Sequence, residues 1–187
     1  MEERAGGPAL SSFPRAERAL PRGRHTAAVD APNRELMREE DRLWRELHEL
    51  VDSMPPDAAT RPGYFEEGWS AKDLVAHIGS WLAEANVALE QIRSGTYDET
   101  AIDVDEMNAR FYEAMKDVPF DIVRAQASAA RNRMLQEWGA LAEVPPEAEA
   151  WIQKGGPGHY AEHIPRLRDW VEEVQGGSNA SGSDSIG

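Results

Sequence analysis

The sequence contains no cysteine. That excludes a disulfide framework, a thiolate metal site and a cysteine nucleophile. Any thiol chemistry must therefore use a thiol brought from outside the chain. No apolar run approaches the roughly 20 residues a membrane-spanning helix needs. The N-terminus also lacks the apolar stretch of a secretory signal. The setting expected is the cytoplasm, with no membrane partner. Strand-type alternation is nearly absent, which leaves helical periodicity as the dominant signal. Positive charge is scarce: 20 Lys and Arg stand against 34 Asp and Glu, a net charge of −14. A field of that sign repels phosphate backbones and anionic membranes, so no nucleic-acid partner is expected.

What is present fits one domain, since 187 residues provide for a single core and some loose ends. Residues 1–32 carry Gly, Pro, Ala and an arginine cluster from Arg15 to Arg24. They read as a disordered extension rather than as a basic interaction arm. Residues 176–187, "GGSNASGSDSIG", read as a flexible polar tail. The domain is expected over 33–175.

Four helical stretches are expected within it. The first runs from about Arg34 to Ser53 behind an Asn33 cap, with Leu36, Leu43, Leu47 and Leu50 on one stripe. "MPPDAATRPGYFEEG" breaks it with three prolines. The second opens at Ser70 and Asp73, which have capping-box spacing, and buries Leu74, Ile78, Trp81, Leu82, Ala85 and Leu89. The third is split at Pro119, and its longer part buries Val123, Ala127, Ala130, Met134, Trp138 and Leu141. "AEVPPEAEAWIQKGGPG" is expected as a loop. The fourth runs from near Gly158 to Val174, with Pro165 expected to bend it. Such amphipathic stripes bury one another best in an all-α four-helix bundle.

The chain has five histidines, and His159 and His163 stand four apart in "GGPGHYAEHIPRL". Residues at that spacing are neighbours on a helix, about 5–6 Å apart at Cβ. Their imidazoles can converge on one ion. His77, on the inner edge of the second helix, is the natural third ligand. Spacing alone leaves the alternative open that the three are ordinary core or surface residues. The pair is not H-E-x-x-H. It does match H-x-x-E-H through Glu162, but that peptidase motif needs an acidic ligand well downstream, where little chain remains. His25 and His48 receive no role.

"GWSAKDLVAHIGSW", followed about eighty residues later by "GHYAEHIPRL", resembles the DinB-like four-helix-bundle superfamily. That group includes the DinB proteins, bacterial thiol-dependent transferases and the ClbS/DfsB proteins. The resemblance spans roughly residues 34–174. It implies that Trp69 and the capped turn open a helix whose His77 is a metal ligand, with His159 and His163 completing a triad. "VDEMNARFYEAM" is also similar, with Asn108 in a familiar place. The mycothiol-dependent maleylpyruvate isomerases share the second-helix motif. The expectation here is a chain without their C-terminal domain, its final histidine pair more similar to DinB and ClbS/DfsB.

The cofactors implied are a divalent ion (Zn, Ni or Fe) and a low-molecular-weight thiol. Three neutral imidazoles leave such an ion its full charge and open positions. The function implied is a metal-dependent transfer of the thiol to a small electrophile. The alternatives are a ClbS-type metal-dependent hydrolase or detoxification protein, and a metal-free binding module. A small-molecule substrate and a homodimer are the partners expected. Of the neighbouring residues, Arg166 could hold a carboxylate and Glu84 could support His77. Trp81 and Tyr160 could wall a pocket. Each also has an ordinary explanation, as solvated charge or core packing.

Overall fold

A computed structural model describes residues 31–55, 57–65, 68–99 and 101–181. Six α-helices follow one another: α1 (Ala31–Ser53), α2 (Ala71–Ser94), α3 (Val104–Met115), α4 (Phe120–Ala140), α5 (Pro146–Gly155) and α6 (Pro157–Ser181). No strand occurs among the described residues. The fold is an all-α helical bundle, as expected. None of its helices is long and apolar enough to cross a membrane. The expected extension over residues 1–32 and the last six residues of the expected tail lie largely outside the described residues.

The bundle pairs α2 with α4 and α1 with α6, and α5 wedges beside α2. Local chemistry sets the boundaries. At the start of α2 the Ser70 hydroxyl accepts from Asp73 N–H (3.3 Å), and Ser70 N–H donates to Asp73 Oδ2 (2.8 Å). This reciprocal box satisfies two orphan donors of the first turn. The helix stops at Gly95, whose φ of 71° is a left-handed cap that glycine adopts without a Cβ penalty. Asp103 caps α3 by accepting from Glu106 N–H. Pro119 separates α3 from α4, as its missing N–H requires.

The core is built from the expected stripes. Leu43, Leu47 and Val51 of α1 share one core with Leu74, Ile78, Leu82 and Leu89 of α2. Val123, Met134 and Trp138 of α4 and Ile164, Leu167 and Val171 of α6 close it.

Three expectations are corrected. Asn33 lies inside α1, not at its cap, and its side-chain oxygen accepts from Trp138 Nε1 at 2.6 Å. The expected loop before the histidine pair contains α5. Its two prolines open the helix, Pro146 at the first position where no N–H is needed, and Ala148 and Ile152 anchor it in the core. Finally, α6 continues past Gly176 to Ser181. Gln175 Nε2–H donates to Ser53 O at 3.1 Å, which ties that end of the helix to α1. A helix already anchored adds one bond per residue as it extends. It also passes through Pro165 without ending.

Candidate metal centre

His77 sits in the second turn of α2, fixed in register by the Ser70 box. His159 and His163 sit in the first two turns of α6, which starts directly after the α5 turn. That turn is narrow. A Cβ on Gly155 would lie 2.7 Å from Ala85 Cβ and 3.0 Å from Trp81 O, so only glycine lets α5 press against α2 there.

The three imidazoles converge. His77 Nε2 and His159 Nε2 are 2.9 Å apart. The ligand nitrogens of His77, His159 and His163 all lie within 4.8 Å of one another. Two nitrogens each about 2.0–2.1 Å from one ion stand roughly 2.9–3.4 Å apart at octahedral to tetrahedral angles. The His77–His159 pair already has that separation. The Nδ1 atoms of both residues are buried without a hydrogen-bond partner among the described residues. The Nε2 edges are the ones that face each other across the space a shared ion would take.

Electrostatics favours the ligating form. Burial pushes the His77 imidazole down to about 3 and His159 down to about 2, and neighbouring imidazoles and Lys154 add to the shift in His159. Burial also lowers His163, against the opposing pull of Glu162. All three are neutral at neutral pH, with lone pairs free to bind a metal. The donor set and spacing fit a divalent ion held by three histidines.

A cavity of about 470 Å³ opens over the histidines, walled by Phe65, Trp69, Trp81 and Asn108. The walls are braced. Trp81 Nε1–H donates to Asn108 Oδ1 at 3.0 Å. Trp69 stacks on Tyr112 with ring centroids 5.5 Å apart and planes 5° from parallel. Both partners belong to α3, which has no buried residue. Lys72 holds the far end of that helix, where its ammonium donates to the carbonyls of Met115, Lys116 and Val118. The segment after α1 folds back so that Arg166 Nε–H donates to Tyr64 O (2.9 Å), which sets Phe65 at the rim.

Of the residues singled out in the sequence, His77, His159, His163, Trp81 and Asn108 come together here. Arg166 does not. It pins Tyr64 and pairs with Glu173 at 2.9 Å. Glu84 does not support His77, whose Nδ1 has no partner. Tyr160 faces away from the cavity, and its hydroxyl donates to Glu40 Oε1 at 3.3 Å. Sequence reasoning missed Glu40 itself, a carboxylate 0% exposed, gripped by Arg131 through bonds of 2.7 and 2.6 Å. The signal was available, because Glu40 interrupts the stripe of Leu36, Leu43 and Leu47. Lys154 of the cavity was missed with α5.

A family model described as the mycothiol maleylpyruvate isomerase N-terminal domain matches residues 40–174. The chain belongs to this family. The mycothiol maleylpyruvate isomerase N-terminal domain is part of the DinB-like superfamily, which the Trp69-to-His77 block and the final histidine pair resemble. Within that superfamily the match falls on the mycothiol-isomerase branch. No curated protein matches the chain in sequence. Among solved structures, an uncharacterised protein from Escherichia coli UTI89 is similar, with a TM-score of 0.63 and 17% identity over 75% of this chain and 93% of that one. At that identity the likeness shows the fold alone.

Proposed function

We propose that the chain is a metal-dependent transferase that joins a low-molecular-weight thiol to a small electrophile. The observation that carries this reading is three neutral imidazoles, their nitrogens within 4.8 Å, at the floor of a cavity of about 470 Å³. His77, His159 and His163 would hold a divalent ion, of which Zn, Ni and Fe all suit imidazole. When bound, such an ion supplies a Lewis acid that favours thiolate over thiol.

The chain's own residues do the rest. The three histidines leave the cavity side of the site open. Trp69 and Trp81, each braced by α3, form a rigid apolar wall that excludes water and orients a small ligand. The nucleophile must arrive with the thiol, because the chain has no cysteine. A family named for mycothiol supports thiol transfer over hydrolysis. Reduced small thiols also fit a cytoplasmic setting.

The test has two parts. Metal analysis of tag-free protein should find a divalent ion. The loaded protein should then consume an electrophile from a panel of quinones, epoxides and unsaturated acids only when a small thiol is present. Turnover without thiol would move the reading to hydrolysis. Protein that takes up no divalent ion would be a binding module instead.

A further inference from the structure

Lys154, one residue before Gly155, is a cation with no carboxylate partner among the described residues. Its ammonium lies 4.6 Å from the Trp81 ring centroid and 5.7 Å from that of Trp151. No ion pair or hydrogen bond among the described residues satisfies it. Asp105 and Glu162 line the same cavity but do not pair with it. The aromatic faces stabilise the ammonium and leave its three N–H donors for a ligand.

Lys154 also stands where two cavities meet. On one side is the space over the histidines. On the other is an open cleft of about 510 Å³, lined by Tyr97, Ile102, Ala150 and Trp151, with Glu99 at its edge. Trp151 Nε1–H donates to the Tyr97 hydroxyl at 2.9 Å, which holds the indole as a fixed platform. A ligand lying past Lys154 touches both spaces.

We propose that Lys154 binds the charged group of an organic monoanion whose apolar body lies in the Tyr97–Trp151 cleft. A substituent on the charged end reaches toward the histidines. One cation matches one negative charge. Asp105 and Glu162 repel a second one, which selects a monoanion over a dianion. The cleft supplies apolar and aromatic surface for the body. This inference rests on the proposed function only in calling the inner end of the ligand the reacting end.

The experiment uses the full chain, both metal-stripped and zinc-loaded, with 4-phenylbutyrate and its uncharged isostere 4-phenylbutanamide as probes. Tryptophan fluorescence and calorimetry read the binding. The carboxylate should bind the metal-stripped protein about ten-fold more tightly than the amide. Lys154→Gln should erase that difference, and Lys154→Arg should keep most of it. Ala150→Trp, which fills the exposed cleft, should weaken 4-phenylbutyrate about ten-fold. All three variants should titrate zinc like the wild type, which also verifies their fold. Equal binding of the two probes overturns the proposal. So does failure of both to bind at millimolar concentration, a preference that survives Lys154→Gln, or one seen only with zinc present. A wild type that takes up no zinc yet keeps the Lys154-dependent preference would sink the proposed function and leave this inference standing.

Discussion

At the scale of single residues, the site depends on three imidazoles held neutral by burial. Removing any one should remove a major share of metal affinity. His77→Ala is expected to weaken zinc binding as much as His163→Ala, by at least ten-fold in calorimetric titration, although the two residues come from different helices. If His77→Ala bound zinc like wild type, His77 would not be a ligand. The same burial predicts how stability depends on pH. In the unfolded chain these histidines protonate near the ordinary value of about 6.5. In the fold His77 and His159 resist protonation down to about 3 and 2. Below about pH 6.5 the unfolded state therefore binds more protons, and stability falls as pH falls. Each imidazole contributes up to about 1.4 kcal/mol per pH unit in that window. Urea melts of metal-free protein between pH 7.5 and 5 should show the decline. His77→Ala should flatten it.

The His159–His163 pair was legible because i,i+4 spacing on a helix is a local signal. Whether the pair meets His77 was not. That depends on two helices whose juxtaposition only packing decides, and the resemblance to known bundles stood in for it. Glu40 was legible in principle, as an acid within an apolar stripe. Its partner Arg131, 91 residues away, was not.

At the scale of elements, the four long helices could be read from their stripes, since each buries a face wide enough to repeat over several turns. The short α5 could not. Ten residues give too few repeats for a period, and the prolines at its start looked like a break rather than a beginning. Yet α5 delivers Lys154 to the cavity and leads directly into the histidine pair. Its seat is Gly155. We expect Gly155→Ala to lower stability by about 1–3 kcal/mol through overpacking against Ala85 and Trp81 O. Gly139, in α4, has nothing within 4 Å of an added Cβ. Gly139→Ala should be neutral or raise stability by about 0.5–1 kcal/mol. Paired thermal melts would compare them, and equal shifts would mean that α5 does not press on α2 as described.

At the scale of the whole molecule, the helix pairs are tied across the core by one polar network. Glu40 of α1 is fully buried, bound by Arg131 of α4 and touched by the hydroxyl of Tyr160 in α6. Breaking such a pair from one side leaves an uncompensated charge. Arg131→Met should therefore destabilise the fold by about 3–5 kcal/mol. The double variant Glu40→Gln with Arg131→Met should recover much of that loss. A double-mutant cycle by denaturant unfolding measures the coupling. Values that simply add would show that the network does not act as a unit.

The histidine triad has a mechanical side as well. His77 and His159 are 82 positions apart along the chain, and α2 and α6 otherwise touch little. An ion shared between them would act as a removable rivet, closing a loop that the backbone alone leaves open. Taking the rivet out need not unfold the bundle, whose apolar stripes hold without it. It would loosen the start of α6 against α2 while α5 stays seated, so that the tightness of this seam would track the supply of metal.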